Sequence, residues 1–305
     1  MSEINGVVVI HKAAGMTSHD CVSRVRRILQ QKKAGHTGTL DPDVTGVLPV
    51  CLGQGTRIVE YLQELPKAYE VNMRLGTSTT TEDASGEVIE RKMVEPDCFD
   101  RTRLEDVFAR FLGEIEQVPP MFSAVKVNGK RLYDLAREGI VVERKARNVT
   151  IYDLDIHAFQ FDGTGCNITF LCRCSKGTYV RTLCVDIGKM LGYPAHMERL
   201  IRVESGPFRL EQAVTLEKLE ELNQAGRLSE VLIPVAEAID FLPRYEIPAS
   251  RKKAVLNGLE TALPDCTLPE GSLIRLFAED QLLGLHRIVT GQRGVYAKPE
   301  KVFNG

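Results

Sequence analysis

A glycine-rich stretch near the start of the chain contains residue types that can do chemistry. Residues 35–48 have the sequence GHTGTLDPDVTGVL, with three glycines, three threonines, one histidine and two aspartates. Proline at position 42 fixes its own φ and disfavours helical conformation at Asp41, so the sequence predicts a rigid, non-helical loop there. The apolar residues 47–52 predict a buried strand after it. A carboxylate on a stiff loop beside a core strand is a candidate catalytic group.

Two other interpretations of Asp41 are open at this point. An aspartate in a glycine-rich turn is more often a solvated turn residue. Asp41, Asp43 and Thr45 also have the D-x-D-x-T spacing of aspartate-nucleophile phosphatases, which require magnesium. That spacing is typical of the phosphatase site only where it ends a hydrophobic strand, and residues 35–39 do not form such a pattern.

A second candidate site lies in residues 175–183, which have the sequence SKGTYVRTL. Gly177 and Thr178 predict the change from a strand to a helix, with Thr178 as the N-cap and the helix ending near Met190. Arg181 would then lie in the first helical turn, where the helix dipole disfavours a cation. A buried carboxylate or phosphate partner would explain that arginine, and a surface arginine is the ordinary alternative.

Length and composition are those of an ordinary globular protein. The 305 residues are 43% hydrophobic and 26% charged, enough for a sizeable core in one large domain or two. We expect a soluble cytoplasmic protein, because no apolar run could span a bilayer and no secretory signal begins the chain. The eight cysteines include no C-x-x-C and the six histidines no H-E-x-x-H, so we expect reduced thiols and no metal.

The basic residues are clustered, although the formal net charge is only −2. That charge argues against a protein that coats nucleic acid by bulk electrostatics. Separate basic patches favour a selective RNA-binding protein, while each patch taken alone is more often a solvated face. The four clusters are Arg24, Arg26, Arg27, Lys32 and Lys33; Arg144, Lys145 and Arg147; Arg199, Arg202 and Arg209; and Arg251, Lys252 and Lys253.

The periodicity of the apolar residues predicts the elements that position these side chains. Residues 77–87 are polar and acidic and predict a loop, Asn128-Gly129 predicts a hairpin turn, and residues 241–244 predict a linker. Beyond it, a helix and three short strands are expected. The predicted strands are 6–10, 47–52, 68–75, 147–161, 166–174, 272–277, 282–289 and 295–297, and the predicted helices are 19–31, 53–64, 100–111, 131–137, 178–190, 211–223, 233–240 and 248–257.

These motifs together resemble the TruB family of tRNA pseudouridine synthases. The stretch at 35–48 is similar to the family signature G-H-T-G-T-L-D-P-x-x-T-G-V-L. The stretch at 175–183 resembles the family segment S-x-G-T-Y-[IV]-R-[TS]-L, and residues 119–126 and 195–208 resemble two further segments. The signature is long and specific, and the resemblance covers essentially the whole chain, although it is weaker after residue 243.

The resemblance implies a fold, a reaction and a partner. The fold would be α+β, a mostly antiparallel sheet flanked by helices, with the catalytic domain at 1–243 and a small β-rich RNA-binding domain of the PUA type at 244–305. The reaction would be isomerisation of uridine 55 in the T-loop of tRNA by a monomer. Uracil leaves C1′, turns over and rejoins through C5, so no cofactor or metal is expected. A non-catalytic tRNA-binding protein with this fold is the alternative.

The resemblance also implies three catalytic residues. Asp41 would be the nucleophile, and Arg181 would pair with it, orient it and lower its pKa. Tyr69 would pack on the flipped base and is a candidate for proton transfer. Taken alone, Tyr69 is more often an aromatic residue that packs within a strand.

Four further residues are implied as contacts of the substrate. Tyr179 and Leu200 would complete the base pocket, and His36 would fill the space that the base leaves. Lys12 would be a structural support or a phosphate contact. Taken alone, His36 is more often a hydrogen-bonding loop residue. The chain departs from the family pattern at two positions, Ala13, where relatives have proline, and Ile201, where they often have arginine.

Overall fold

The computed structural model describes residues 3–98, 100–123, 125–127, 129–292 and 294–303. These ranges contain nineteen strands and eight α-helices. The strands are β1 (Gly6–Lys12), β2 (Ala34–His36), β3 (Thr45–Leu52), β4 (Lys67–Leu75), β5 (Thr77–Thr79), β6 (Val88–Arg91), β7 (Gly113–Gln117), β8 (Lys126–Val127), β9 (Lys130–Arg131), β10 (Arg147–Phe161), β11 (Cys166–Cys174), β12 (Ala195–Ser205), β13 (Phe208–Arg209), β14 (Leu232–Ile233), β15 (Arg244–Glu246), β16 (Thr261–Ala262), β17 (Leu273–Ala278), β18 (Gln281–Gly291) and β19 (Gly294–Val302). The helices are α1 (Ser18–Ile28), α2 (Val59–Glu64), α3 (Arg101–Ala109), α4 (Leu132–Arg137), α5 (Val180–Leu191), α6 (Leu216–Gln224), α7 (Val235–Ala238) and α8 (Ala249–Leu256).

A ten-stranded sheet forms the body of the protein, in the order β14-β1-β3-β12-β4-β11-β10-β7, with β2 beside β3 and β13 beside β12. Its neighbours pair antiparallel except β3 and β12, so the predicted mixed, mostly antiparallel fold is confirmed. The parallel contact requires glycine at position 46, because a Cβ there would lie 2.2 Å from the backbone oxygen of Arg202. Strand β12 thereby lies between β3 and β4.

Strands β1 and β3 are buried on both faces. Successive side chains of a strand point to opposite faces. Val8 and Ile10 accordingly pack with Val22 and Val25 of α1, while Val7 and Val9 pack in a second cluster on the opposite face. Burial on both faces explains why these strands are continuous apolar runs instead of alternating patterns.

Helices α3 and α5 cover the other half of the sheet. Leu104 and Phe108 of α3 and Ile187 of α5 share one core with Met73 and Phe170 of the central strands. The rings of Phe108 and Phe170 meet edge to face with their centroids 5.0 Å apart. This packing fixes α5 so that its first turn can meet the loop between β2 and β3.

A second, five-stranded sheet follows in the order β15-β17-β18-β19-β16, as expected for a PUA-like unit. It shares a core with the large sheet, since Leu285 and Phe303 pack in the same cluster as Val7. Arg275 donates to the carbonyl oxygens of Leu242, Ala236 and Asp240 at 2.8–3.0 Å. The two sheets are therefore joined by apolar and polar contacts, beyond the chain connection alone.

Several predicted boundaries are wrong for local reasons. Helix α1 ends at Ile28 instead of residue 31. Thr215 caps α6 by accepting from the backbone N–H of Lys218 at 3.1 Å, so the predicted 211–223 helix begins only at Leu216. In the predicted 233–240 helix, Pro234 is the N-cap of the short α7, and β14 takes up the preceding residues.

The predicted loop at 77–87 includes strand β5, which pairs with β6. The predicted hairpin around Gly129 joins β8 and β9, which pair through Val127 and Lys130. Asn128 of that turn, like Ala124 of the 119–126 segment, lies outside the described residues.

Candidate active site

The loop that carries Asp41 runs from residue 37 to residue 44, between β2 and β3, and its backbone is held beside the aspartate. The Ser18 hydroxyl accepts from the backbone N–H of Leu40 at 2.8 Å, on the N-terminal side of Asp41. Lys12 Nζ donates to the carbonyl oxygen of Pro42 at 2.7 Å, on its C-terminal side. The loop is non-helical, as proline at position 42 predicted.

Lys12 is a structural support of this loop. Its side chain is fully buried, and Nζ also donates to the carbonyl oxygens of Ala13 and Met16 at 2.9 and 2.8 Å. All three ammonium protons are thus used by backbone acceptors. Of the two roles expected for Lys12, the structure supports the structural one, and alanine at position 13 still supplies its carbonyl.

Arg181 and Asp41 form the ion pair at the centre of the site. Arg181 lies in the first turn of α5, and its Nε is 3.1 Å from Asp41 Oδ2. The arginine side chain is only 5% exposed and the aspartate side chain 45% exposed, so one side of the carboxylate is open to a substrate. A carboxylate partner, half exposed rather than buried, lies beside the arginine in this helical turn.

Three further contacts fix the Arg181 guanidinium. Nη1 donates to the carbonyl oxygen of Thr81 at 3.0 Å and to Asp83 Oδ2 at 3.2 Å. Nη2 donates to the carbonyl oxygen of Phe122 at 2.8 Å. Because acceptors surround the guanidinium, it cannot turn away from Asp41 without leaving buried donors unpaired.

Asp83 is a residue of this candidate site that the sequence did not predict. Its Oδ1 accepts from the Thr81 hydroxyl at 2.7 Å and from the backbone N–H and hydroxyl of Ser85 at 3.0 and 2.6 Å. These contacts leave Oδ2 for Arg181. The D-x-S pattern at 83–85 predicts the local turn, but nothing in the spacing connects it with Asp41.

The loop of Asp83 is anchored to the central strand. The backbone N–H of Met197 on β12 donates to the carbonyl oxygen of Glu82 at 3.0 Å, and that of Ala84 donates to the carbonyl oxygen of Met197 at 3.1 Å. Thr182 of α5 donates its hydroxyl to Glu82 Oε2 at 2.6 Å. Asp83 therefore has a fixed position relative to the sheet.

Burial raises the pKa of the Asp41 carboxyl. The Arg181 guanidinium lowers this pKa, and the neighbouring carboxylate of Asp83 raises it. The expected lowering by Arg181 is present, but burial outweighs it, so the pKa of Asp41 lies above its ordinary value.

Tyr69 lies on β4, opposite Cys172 of β11 and Arg202 of β12. Burial raises the pKa of the Tyr69 phenol to about 12, while the charge of Arg202 opposes the rise. Tyr69 is therefore a neutral phenol at neutral pH.

Arg202 was grouped with surface basic residues, and that prediction is wrong. It is among the largest fully buried side chains of the protein. Its Nε donates to the carbonyl oxygen of Val47 at 2.7 Å, and its Nη2 to that of Gly38 at 3.1 Å. A side chain enclosed in this way cannot contact a phosphate.

The remaining predicted residues lie around this centre. His36 ends β2, its Nδ1 accepts from the backbone N–H of Gly38 at 3.2 Å, and burial lowers its pKa, so it is neutral. Leu200 of β12 is buried in the cluster that also contains Leu40 and Val44 of the Asp41 loop, with Tyr69 packed against it. It is thus brought next to the loop and Tyr69.

Tyr179, and not Thr178 as predicted, is the N-cap of α5. The buried Gln117 side chain holds its backbone, because Gln117 Nε2 donates to the Tyr179 carbonyl oxygen at 3.0 Å and Oε1 accepts from its N–H at 2.7 Å. The Thr178 hydroxyl instead donates to the carbonyl oxygen of Ser175 at 2.9 Å. Gln117 thus positions the start of the helix that carries Arg181, a role that its place in the sequence does not indicate.

The described part of the chain has neither a metal-binding cluster nor a membrane-spanning helix. No group of three or more His, Cys, Asp or Glu side chains there could hold a metal ion. No helix there has the length and apolar composition needed to cross a membrane.

Comparison with protein families and solved structures agrees with this geometry. The model of the TruB family pseudouridylate synthase N-terminal domain matches residues 26–180, and that of the tRNA pseudouridylate synthase B C-terminal domain matches residues 181–240. A crystal structure of a Cbf5-Nop10-Gar1 complex is similar with a TM-score of 0.75 and 30% identity, covering 98% of this chain and 85% of that one. A structure of an H/ACA RNP bound to a substrate RNA containing 2′-deoxyuridine has the same TM-score at 28% identity and the same coverage. The fold and site define a pseudouridine synthase.

Similar curated proteins show which family of pseudouridine synthases this is. The tRNA pseudouridine synthase B of Geobacillus thermodenitrificans is 48% identical over 98% of this chain and 100% of its own. That of Bacillus subtilis is 47% identical over 98% of each chain. The chain belongs to the TruB family. The phosphatase interpretation of Asp41 and Asp43 is thereby set aside.

Proposed function

We propose that this chain, a tRNA pseudouridine synthase, converts uridine 55 in the T-loop of tRNA to pseudouridine, with Asp41 as the nucleophile. The observation that carries the proposal is the Asp41–Arg181 pair, with Arg181 Nε 3.1 Å from Asp41 Oδ2, the arginine buried and the aspartate side chain 45% exposed. The names of the curated relatives support tRNA as the substrate. The stretch at residues 35–48, which resembles the family signature, supports the choice of Asp41.

The ion pair prepares the carboxylate for attack. Asp41 must be ionised to act as a nucleophile, and burial opposes ionisation. Arg181 offsets that effect and, through the carbonyl oxygens of Thr81 and Phe122, stays in place when the substrate arrives. Asp83 acts through Arg181 and is a positioning residue. Asp41 would thereby be ready to act as the nucleophile while uracil leaves C1′ and rejoins it through C5.

The pocket for the base lies where the Asp41 loop meets strands β4 and β12. A uridine inside a folded loop is out of reach until its nucleotide is flipped out. Tyr69 would stack on the flipped uracil, and Leu200 and Tyr179 would close the pocket around it. The neutral His36 would occupy the space left in the RNA. Lys12 would contribute through the loop and not through the RNA.

The five-stranded sheet would grip the tRNA away from the reacting uridine, as the RNA-binding domain at 244–305. Three basic residues of α8 are candidates for phosphate contact, and they differ in whether their side chains already have partners. Arg251 donates to the carbonyl oxygen of Glu260 at 3.0 Å, and Lys252 pairs with Glu279 at 3.1 Å. Lys253 is exposed, so it is the first of the three to test for phosphate contact. We propose that the protein acts in the cytoplasm as a monomer without a cofactor.

Removing residues 245–305 is a poor test of that grip. Leu285 and Phe303 share a core with Val7, so a truncated protein would expose apolar surface. Lys253→Ala is the cleaner variant. It should weaken tRNA binding and reduce its salt dependence, because phosphate contacts release counterions, while the single-turnover rate at saturating tRNA stays unchanged. An unchanged salt slope would exclude Lys253 from the interface.

The direct test of the proposed function is incubation of the protein with an unmodified tRNA transcript, followed by chemical mapping of pseudouridine. We expect one modified site, uridine 55, with and without EDTA. Pseudouridine at another position would refute the assigned target. Tight binding without any pseudouridine would favour the non-catalytic tRNA-binding alternative.

A further inference from the structure

The two partners of the central ion pair are held by the same kind of contact. A buried, uncharged side chain binds both backbone groups of a residue that shortly precedes each partner. Leu40, directly before Asp41, is held in this way, and so is Tyr179, two residues before Arg181. A hydroxyl and a carboxamide can each donate and accept, so a single side chain of either kind can satisfy an N–H and a C=O group together.

Ser18 holds the residue before the proposed nucleophile. Its hydroxyl accepts from the backbone N–H of Leu40 at 2.8 Å and donates to the carbonyl oxygen of Leu40 at 3.3 Å. Ser18 is buried, and the Leu40 side chain is buried in the same core cluster as Val44. Because the backbone and the side chain of Leu40 are both fixed, the peptide group that joins Leu40 to Asp41 is fixed with them.

The first turn of α1 presents Ser18 to this loop. Thr17 is the N-cap, its hydroxyl accepts from the backbone N–H of Asp20 at 3.1 Å, and its own N–H donates to Asp20 Oδ2 at 3.0 Å. This capping box stabilises the turn from its exposed side. The hydrogen bonds described for the Thr17 hydroxyl therefore stay within α1, whereas those of the neighbouring Ser18 hydroxyl go to Leu40.

Gln117 holds the other partner of the pair. Its Nε2 donates to the carbonyl oxygen of Tyr179 at 3.0 Å, and its Oε1 accepts from the N–H of Tyr179 at 2.7 Å. Gln117 is buried at the end of β7, where it pairs with Arg147 of β10. Five residues further on, the carbonyl oxygen of Phe122 accepts from Arg181 Nη2 at 2.8 Å. One short segment of chain thus holds the start of α5 at two points.

We propose that Ser18 and Gln117 are positioning residues of the isomerisation, which together align the Asp41 carboxylate with the Arg181 guanidinium. The 3.1 Å contact between Asp41 Oδ2 and Arg181 Nε depends on the position of the backbone at both ends. The hydrogen bonds described for the Ser18 hydroxyl and the Gln117 amide go to backbone groups, so both side chains act through the pair. Their role rests on the proposed function, in which Asp41 is the nucleophile.

Ser18→Ala and Gln117→Met each remove the donor and the acceptor and keep most of the side-chain volume. We expect the single-turnover rate at saturating tRNA transcript to fall at least about tenfold with each variant, since a misplacement of about 1 Å costs up to about 100-fold. The half-saturating tRNA concentration should change by less than about threefold, because buried residues make no RNA contact. A smaller loss of rate with either variant would overturn the proposal.

The pH dependence of the rate separates misalignment from a loss of stability. Arg181 lowers the pKa of the Asp41 carboxyl, so a misaligned pair should raise that pKa and move the acidic limb of the pH–rate profile to higher pH. In the Arg181→Met background neither variant should move the limb further, because no guanidinium is left to misalign. An unmoved limb in the single variants, or a further shift in that background, would overturn the proposal.

Two neighbouring residues provide matched controls. Thr17→Ala removes the hydroxyl next to Ser18 and the N-cap of α1, so it should lower the melting temperature. Asn148→Ala removes a side-chain amide bond between β10 and β7, from Asn148 Nδ2 to Glu114 Oε1 at 2.8 Å, that does not involve α5. Both controls should keep the wild-type rate and acidic limb. A shifted limb with either control would overturn the proposal, because any local loosening would then have this effect.

Amide hydrogen exchange of the wild-type protein tests the contacts without activity and without a variant. The amides of Leu40 and Tyr179 should be protected, because both are hydrogen-bonded inside the protein. Exchange at the rate of an unstructured peptide at either position would overturn the proposed contacts. If the wild type makes no pseudouridine, the proposed function fails by itself, whereas an active wild type with unchanged Ser18→Ala and Gln117→Met rates refutes the positioning role alone.

Discussion

Two buried arginines beside the Asp41 loop have opposite kinds of partners. Arg181 faces two carboxylates, Asp41 and Asp83, as well as two carbonyl oxygens. The hydrogen bonds described for Arg202 go to two carbonyl oxygens, and Tyr69 lies opposite it in the pairing of β12 with β4. Burial lowers the pKa of the Arg202 guanidinium, and the interaction with Tyr69 opposes that change. The difference predicts that Arg181 acts on the charge of Asp41, whereas Arg202 holds backbone segments in place.

The largest expected effect comes from removing the charge of Arg181. Arg181→Met leaves the half-exposed carboxylate of Asp41 and the carboxylate of Asp83 without their cation, and we expect the single-turnover rate to fall about 1,000-fold. The pKa of Asp41 should rise further, so the acidic limb of the pH–rate profile should move to higher pH. Single-turnover rates between pH 5 and 9 measure both effects. An unmoved acidic limb would contradict the role of Arg181 in charge control.

Asp83→Asn should give the opposite shift with a smaller loss. The neighbouring carboxylate raises the pKa of Asp41, so its removal should move the acidic limb to lower pH. The rate at the optimum should fall about 10-fold, the equivalent of one charge-assisted hydrogen bond to Arg181. A shift in the same direction as that of Arg181→Met would refute this account of the pair.

Lys12 gives a comparison for a buried cation that binds only the backbone. Lys12→Met should lower the free energy of unfolding by about 1–3 kcal/mol, because three carbonyl oxygens lose their donor. The salt dependence of tRNA binding should not change, as no phosphate contact is lost. Denaturant titration and filter binding measure the two quantities. A reduced salt slope would instead make Lys12 an RNA contact.

His286 in the five-stranded sheet sharpens the comparison, because a histidine can lose its charge and an arginine cannot. Burial lowers the pKa of His286 to about 4. The unfolded chain therefore binds more protons between about pH 6.5 and pH 4, and stability falls as pH falls through that range, by up to about 3 kcal/mol. His286→Leu should show a flatter pH dependence of unfolding with unchanged activity at pH 7. An unchanged pH dependence would exclude His286 as its source.

The sequence predicts those parts of the site that are local in the chain. Proline at position 42 predicts the loop at Asp41, and the helix position of Arg181 predicts an anionic partner, a carboxylate or a phosphate, without saying which. Asp83 and Arg202 were missed because their roles depend on strand pairing between distant segments. In the sequence Arg202 belongs to a group of basic residues of the kind found on surfaces. Only the position of β12 between β3 and β4 shows that it is buried.

Among the helices and strands, too, those defined by a pattern within one segment of the chain were predicted best. The long strands β10 and β11 were predicted with their observed bounds, because alternation within one segment defines them. Strand β12 was not predicted as a strand, since its sequence AHMERLIRVES does not alternate. Its conformation depends on pairing with β3 on one side and β4 on the other, and no pattern within its own sequence indicates that pairing.

The central claim is that Asp41 performs the chemistry on uridine 55. The most direct measurement is tritium release from tRNA labelled at C5 of uridine, with wild-type protein and Asp41→Asn in parallel, together with mapping of the product. We expect release and a single pseudouridine at position 55 for the wild type. For Asp41→Asn we expect neither, with tRNA binding kept within a few-fold. Residual activity above about 1% of the wild-type rate in a folded Asp41→Asn protein would contradict it.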